Sequence, residues 1–279
     1  MQKFCKILQK SVITNMFGLN QMRSELGRSI YETEKVKIFL SKDEKYVYKV
    51  TTSDVSKEYE IMNLAKSSYT VSAIDCIEES GRNCLVLPAY TEGDAFSLIE
   101  KNETSEKVAK QIIYDIIRGL ICLERVNVIH HDIKPENVFL YKKGKTIHAV
   151  IGDFGYSEIF GEDDNPELGG TFPYIAPEIL SGRSYDFKSD MWSVGVFMAY
   201  FLTHTLPFSG SYSQIVRQIF SKKVILPLQF TDDAQDLLEN LLCVNPDERI
   251  TAAEAIQHPW FDDVEQLNDD FENIDIDDQ

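Results

Sequence analysis

Eight consecutive residues, His130-His131-Asp132-Ile133-Lys134-Pro135-Glu136-Asn137, followed by Gly152-Asp153-Phe154-Gly155, constrain this chain more than any other feature. They hold two acids, an amide and a lysine at fixed offsets, and a fold must bring both stretches to one place for the set to act. Asp132 can accept a hydrogen bond from an attacking hydroxyl and orient it, while Lys134, two residues on, can set its charge against a moving phosphoryl group. Asn137 and Asp153 offer oxygen atoms of the hard type that Mg2+ prefers. Together these groups fit phosphoryl transfer to a hydroxyl, in which a bound magnesium ion offsets charge as the transition state forms.

The same residues carry a resemblance. Read with Ala176-Pro177-Glu178 further on, they are similar to the motifs of the eukaryotic protein kinase family, His-Arg-Asp-x-Lys-Pro-x-Asn and Asp-Phe-Gly, except that His131 stands where arginine is usual. An isolated Asp-Phe-Gly is a weak signal, but three motifs in order are a specific one. Turn caps or solvated loop acids would account for Asp132, Asn137 or Asp153 singly, not for their register. The resemblance covers about residues 19–261 and implies an α+β, two-lobed fold. A small β-rich N-lobe with one short helix is expected over about 19–87, a hinge over 88–92 and a larger helical C-lobe over 93–261. It further implies a serine/threonine kinase that uses ATP and Mg2+ on protein substrates.

A chain of 279 residues with 43% hydrophobic content can bury a large core. The longest apolar run, 194–202, is too short to cross a bilayer, and the first residues lack the apolar stretch of a signal peptide. An intracellular protein, in cytoplasm or nucleus, is therefore expected. Cys5, Cys76, Cys84, Cys122 and Cys243 show no Cys-x-x-Cys spacing, which predicts small buried hydrophobes and no zinc site or disulfide framework. A net charge of -17 argues against nucleic acid or an anionic membrane as partner and suits basic protein substrates. Much of that charge lies in 262–279, where no basic residue occurs. This composition predicts a disordered, self-repelling tail, or a docking segment for a basic partner, and lacks the basic amphipathic pattern of a calmodulin-binding helix. Residues 1–18 form a flanking segment with loosely helical apolar spacing at Phe4, Ile7, Leu8 and Val12, for which a mitochondrial presequence is the minor alternative.

The nucleotide-covering hairpin of the family reads Gly-x-Gly-x-x-Gly-x-Val, and Leu26-Gly27-Arg28-Ser29-Ile30-Tyr31-Glu32-Thr33-Glu34 keeps only its first glycine. Ser29 is a mild change. Glu32 brings a carboxylate towards the phosphates, and Glu34 falls where an apolar residue packs on adenine unless a bulge brings in Val36. Alternation then predicts strands at 37–40 and 46–50, joined by a turn at 42–45. By resemblance Val47 lines the nucleotide and Lys49 contacts its α- and β-phosphates. The partner of Lys49 is expected on the helix around 57–64. Glu58 is favoured over Glu60 because Ile61, Met62 and Leu64 then pack inward. The short span between Lys49 and Glu58 requires that helix to lack its first turns. Strands are expected at 71–77 and 83–87 around a turn at 79–82.

Leu87-Pro88-Ala89-Tyr90 is similar to the family's hinge, with Leu87 as gatekeeper and with the Pro88 carbonyl and Ala89 N–H available to adenine. Helices follow at 95–101 and 105–124, and a hairpin at 137–141 and 146–151 places Phe139 as the floor of the adenine site. Gly170-Thr171-Phe172-Pro173-Tyr174 resembles the serine/threonine form of the activation segment, in which the Thr171 hydroxyl bridges Asp132 and Lys134. Lys134 itself points the same way. The resemblance also implies that Asp190 holds the catalytic-loop backbone and that Arg249 pairs with Glu178. Residues 206–210 and 255–261 look most like the calmodulin-dependent branch. A pseudokinase scaffold is the alternative, on the strength of the degenerate Gly27 to Glu34 stretch and the short helix around Glu58. A small-molecule phosphotransferase is disfavoured by the peptide-docking segment 171–178. Asp94 and Glu136 are candidates for holding an arginine upstream of the acceptor. His131 and the short helix together remove both halves of the pocket that grips an activation-segment phosphate, so activity independent of phosphate on Ser157 or Thr171 is expected.

Overall fold

A computed structural model of the chain describes residues 25–79, 81–161, 169–221 and 223–264. The flanking segment 1–18, residues 162–168 and the acidic tail from 265 onward lie outside the described residues. The chain divides into two compact units, the first running to Glu60 and resuming over Ser72–Ala89, the second holding Ile61–Val71 and the chain from Tyr90.

The first unit is an antiparallel sheet of β1 (Leu26–Glu32), β2 (Val36–Ser41), β3 (Tyr46–Thr51), β4 (Asp75–Glu79) and β5 (Arg82–Pro88), ordered β1-β2-β3-β5-β4. Period-two alternation gathers Tyr48, Ile77, Cys84 and Val86 into a core with Leu26, Phe39 and Val50 packed against it. The β2–β3 turn closes on Ser41, whose hydroxyl accepts from the Lys45 and Tyr46 N–H groups at 3.1 and 3.0 Å. The strand expected over 71–77 begins only at Asp75. Val71 instead donates its N–H to the Ile151 carbonyl at 2.7 Å, so this end of the apolar run belongs to the second unit.

Helix α1 (Ser56–Leu64) starts where the Asp54 carboxylate accepts from the Ser56 N–H at 2.9 Å, and it is as short as the span after Lys49 requires. Glu58, Ile61, Met62 and Ala65 are buried, the i, i+3, i+4, i+7 face of one helix. Leu64, expected to pack inward, falls off that face and is 46% exposed.

In the second unit α2 (Ala95–Glu100) is capped by Asp94 and α3 (Glu106–Arg125) by Ser105, whose hydroxyl accepts from the Val108 N–H at 3.3 Å. Then come β6 (Val128–Ile129), β7 (Val138–Lys143), β8 (Thr146–Ile151) and β9 (Glu158–Ile159). β7 pairs with β8 as a hairpin, and β6 pairs with β9, which lays the start of the catalytic loop beside the chain that follows Asp153. The remaining helices are α4 (Pro177–Leu180), α5 (Lys188–Thr203), α6 (Tyr212–Ser221), α7 (Asp232–Leu241) and α8 (Ala252–Ala255). α5 is buried on nearly every side, with Trp192, Val194, Val196, Phe197 and Met198 at 0% exposure, and so serves as the beam on which the loops rest. Among the described residues no helix is long and apolar enough to cross a membrane, and Cys76, Cys84, Cys122 and Cys243 are free thiols.

Candidate active site

The catalytic loop leaves β6 through His131, whose φ of 68° lies in the left-handed region. Asp190, near the start of α5, holds that turn. Its Oδ2 accepts from the His130 N–H at 2.8 Å and its Oδ1 from the His131 N–H at 2.9 Å. The His130 ring is fully buried. Nδ1 accepts from the Asp132 N–H at 3.3 Å, which assigns the proton to Nε2, the donor to the Gly152 carbonyl at 3.1 Å. Burial holds this imidazole below its ordinary value, so it stays neutral, and its ring meets Phe154 edge-on at 5.0 Å. One side chain thus ties the Asp132 loop to the Gly152-Asp153 loop.

Asp132 is 1% exposed and its carboxylate is oriented from three directions. Oδ1 accepts from the Thr171 hydroxyl at 2.7 Å, and Oδ2 accepts from Asn137 Nδ2 and Lys134 Nζ, each at 2.8 Å. Lys134 Nζ also donates to the Thr171 oxygen at 2.6 Å. Thr171 can come this close because residue 170 is glycine: its φ is 118°, and a Cβ there would lie 2.7 Å from the His131 carbonyl oxygen. Both amide hydrogens of Asn137 are committed to Asp132, the second to its carbonyl at 2.9 Å, which leaves Oδ1 of Asn137 for another partner. Asp153 has a φ of 59°, and the adjacent Gly152 N–H is fastened to the Asn137 carbonyl at 2.9 Å. An amide oxygen and a carboxylate are a donor set suited to magnesium, which completes its shell with water and phosphate oxygens and needs few protein ligands. Phe139 on β7 packs over Gly152 and stacks on Tyr90 at 6.0 Å with an interplanar angle of 9°.

In the first unit Lys49 on β3 meets Glu58 on α1, its Nζ standing 2.8 and 3.1 Å from the two carboxylate oxygens with both side chains largely buried. Glu60 faces solvent. Val47 lies opposite Leu87 in the β3–β5 register. Leu26, Gly27 and Ser29 lie on β1, where register shifts flank Ser29. Gly27 is required by the sheet itself, because a Cβ there would lie 2.6 Å from the Leu40 carbonyl oxygen. Glu34 sits in the turn and Val36 opens β2 opposite Thr51. The Glu32 carboxylate is paired with Lys37, both half-exposed. Ala89 requires a correction, since its N–H donates to the Lys45 carbonyl at 2.9 Å and is not available to a base.

A buried acid beside the catalytic loop escaped the sequence reading. Glu158 on β9 is 7% exposed, accepts from the Tyr185 hydroxyl at 2.8 Å and stands 3.2 Å from Nε2 of His131, off the hydrogen-bonding direction. An acid inside a short strand was the only local sign of this cluster. The Glu178 and Arg249 pair lies where the resemblance put it, bidentate at 2.7 and 2.8 Å, with Arg249 also packed over the Trp192 ring.

A family profile described as the protein kinase domain matches residues 28–261, and the chain belongs to the protein kinase family. Among its relatives, Myosin light chain kinase A of Dictyostelium discoideum is 28% identical over 264 residues, covering 89% of this chain and 90% of that protein. A probable myosin light chain kinase of the same organism is 34% identical over 216 residues, covering 74% of this chain and 54% of that protein. The Serine/threonine-protein kinase H1 homolog of Pinctada fucata is 31% identical over 211 residues, covering 73% and 51%. The chain thus spans about half the length of the last two.

Proposed function

We propose that this protein kinase transfers the γ-phosphate of ATP to serine and threonine hydroxyls of protein substrates. The observation that carries the reading is the Asp132 carboxylate, buried and aimed by Thr171, Asn137 and Lys134. Oδ2 already accepts two hydrogen bonds, whereas Oδ1 accepts one and keeps a lone pair. The substrate hydroxyl donates to Oδ1, its oxygen forms the bond to the γ-phosphorus as the bond to the β-bridging oxygen breaks, and its proton passes to Asp132. Lys134 uses two of its three ammonium protons on Asp132 and Thr171 and offers the third to the phosphoryl group. Asn137 and Asp153 would hold Mg2+, which when bound neutralises phosphate charge.

For the nucleotide we assign Lys49, oriented by Glu58, to the phosphates, and Leu26, Gly27, Ser29, Val47, Leu87 and Phe139 to the nucleoside side. Because the Ala89 N–H is taken, the base must find its donor elsewhere in 88–90. Selection of a basic residue upstream of the acceptor rests on Glu136, which is exposed beside the loop. Asp94 contributes less, since Oδ1 of its carboxylate caps α2 through Ser97 N–H and Oγ at 2.8 and 2.6 Å. An arginine paired with exposed Glu136 is worth about 1 kcal/mol or less, a bias of up to about fivefold in peptide choice.

The test is radiolabelled phosphate transfer from ATP to a peptide array, with Asp132→Asn as control. Labelled serine and threonine peptides enriched in upstream arginine are expected from the wild type alone, with no response to calcium and calmodulin. Ser29 and Glu32 on β1, where the family pattern has glycine, favour a scaffold without turnover as the second reading. An unlabelled array together with retained ATP or partner binding would support that reading.

A further inference from the structure

We propose that Glu158 is a positioning residue for this transfer, one that holds the catalytic loop through His131 and Tyr185 in place of an activation-segment phosphate. The proposal rests on the kinase reading above. A carboxylate 7% exposed is costly unless it is hydrogen-bonded, and here Tyr185 supplies a bond while His131 Nε2 stands close by without one. The Tyr185 hydroxyl donates to Oε1 at 2.8 Å, and His131 Nε2 lies 3.2 Å from the same oxygen. The His131 and Tyr185 rings meet edge-on at 5.3 Å and 78°. Pairing of Ile129 with Glu158 in the β6–β9 ladder sets the acid beside the root of the loop.

His131 passes that hold onward in two directions. It is bonded to Asp132, so a shift of its ring alters the carboxylate that receives the proton. Its carbonyl is also the atom against which Gly170 is pressed, one residue before Thr171. The left-handed backbone at His131 is one that a bulky residue keeps only where its surroundings enforce it, as Asp190 does from the backbone side and Glu158 with Tyr185 from the side-chain side.

The same acid keeps a phosphate away. A phosphorylated segment brings about two negative charges, and Glu158 already supplies one at the spot an arginine would hold open for it. Two hydroxyls of the segment are in use as well. Ser157 is 5% exposed and donates to the His130 carbonyl at 3.2 Å, and Thr171 is held between Asp132 and Lys134. A loop held from within has no need of the switch.

The experiment uses the full chain made in bacteria and treated with phosphatase, assayed on its best peptide. The wild type is expected to keep its rate. Glu158→Gln and Tyr185→Phe are each expected to lower kcat about ten- to a hundredfold while leaving KM for ATP and peptide within about twofold, since misplacing the base slows chemistry and spares binding. The double variant should be no slower than the slower single one, because both act through one contact. Rates within about twofold of wild type in both variants, or effects that multiply in the double variant, would overturn the proposal. So would loss of the wild-type rate on phosphatase treatment with recovery by an upstream kinase. A wild type that transfers no phosphate removes the kinase reading instead, and amide hydrogen exchange then decides. Faster exchange at 130–134 and 169–171 in Tyr185→Phe, with global protection unchanged, supports the positioning role, and unchanged exchange there overturns it.

Discussion

The hydroxyl of Thr171 donates to Oδ1 of Asp132 at 2.7 Å while it accepts from Nζ of Lys134 at 2.6 Å, so one side chain fixes the carboxylate and the ammonium together. Thr171→Val removes the hydroxyl and keeps the shape. We expect kcat to fall about ten- to a hundredfold with a smaller change in KM, and Thr171→Ser to restore most of the rate. Steady-state kinetics on one peptide check this, and equal rates for Val and Thr would contradict it.

Arg249 and Glu178 form a buried ion pair whose side chains are 0% and 1% exposed. Removing one partner strands the other charge. Arg249→Met is therefore expected to cost about 3–5 kcal/mol and lower the melting temperature by roughly 6–20 °C, whereas replacing both partners by apolar residues should cost less. Calorimetry on the single and double variants tests the ordering.

Glu32 carries a negative charge on β1, balanced by Lys37. Glu32→Gly is expected to lower KM for ATP, and Lys37→Gln, which leaves the carboxylate unbalanced, to raise it, both with little change in kcat. Exposed pairs contribute about 1 kcal/mol or less, so shifts of no more than about fivefold are expected. Opposite signs in the two variants are the diagnostic result.

His130 is buried and its imidazole is held below 6.5. As pH falls through about 6.5 the unfolded chain takes up a proton that the folded chain refuses, so stability is full above that value and declines below it. The decline approaches about 1.4 kcal/mol per pH unit until the depressed folded value is reached. Urea unfolding at about pH 7.5 and pH 5.5 should show it, with a shallower dependence in His130→Asn; identical profiles would assign the effect to other groups.

The catalytic loop, Lys49 with Glu58, Asp190, and Glu178 with Arg249 were legible in the sequence because each pair sits at offsets that the resemblance specifies. Residues 71–74 were not, since a short apolar run reads the same whether it joins a sheet or is pinned elsewhere, as Val71 is by Ile151. Leu64 does not follow Glu58 inward, because six residues at 3.6 per turn carry it about 120° around the helix. The commitment of the Ala89 N–H depends on how far the β3–β5 ladder extends past Pro88, which residue types do not reveal. Glu158 and Tyr185 are 27 residues apart, and only the β6–β9 pairing brings the acid to His131.

The most direct test of the central claim, that Asp132 receives the proton from the substrate hydroxyl, is single-turnover phosphate transfer at saturating ATP and peptide by wild type and Asp132→Asn. The asparagine preserves size and the bond to Thr171 but cannot take the proton. The account predicts a rate about 10²- to 10⁴-fold lower with nucleotide binding retained, and rates within a few-fold of each other would contradict it.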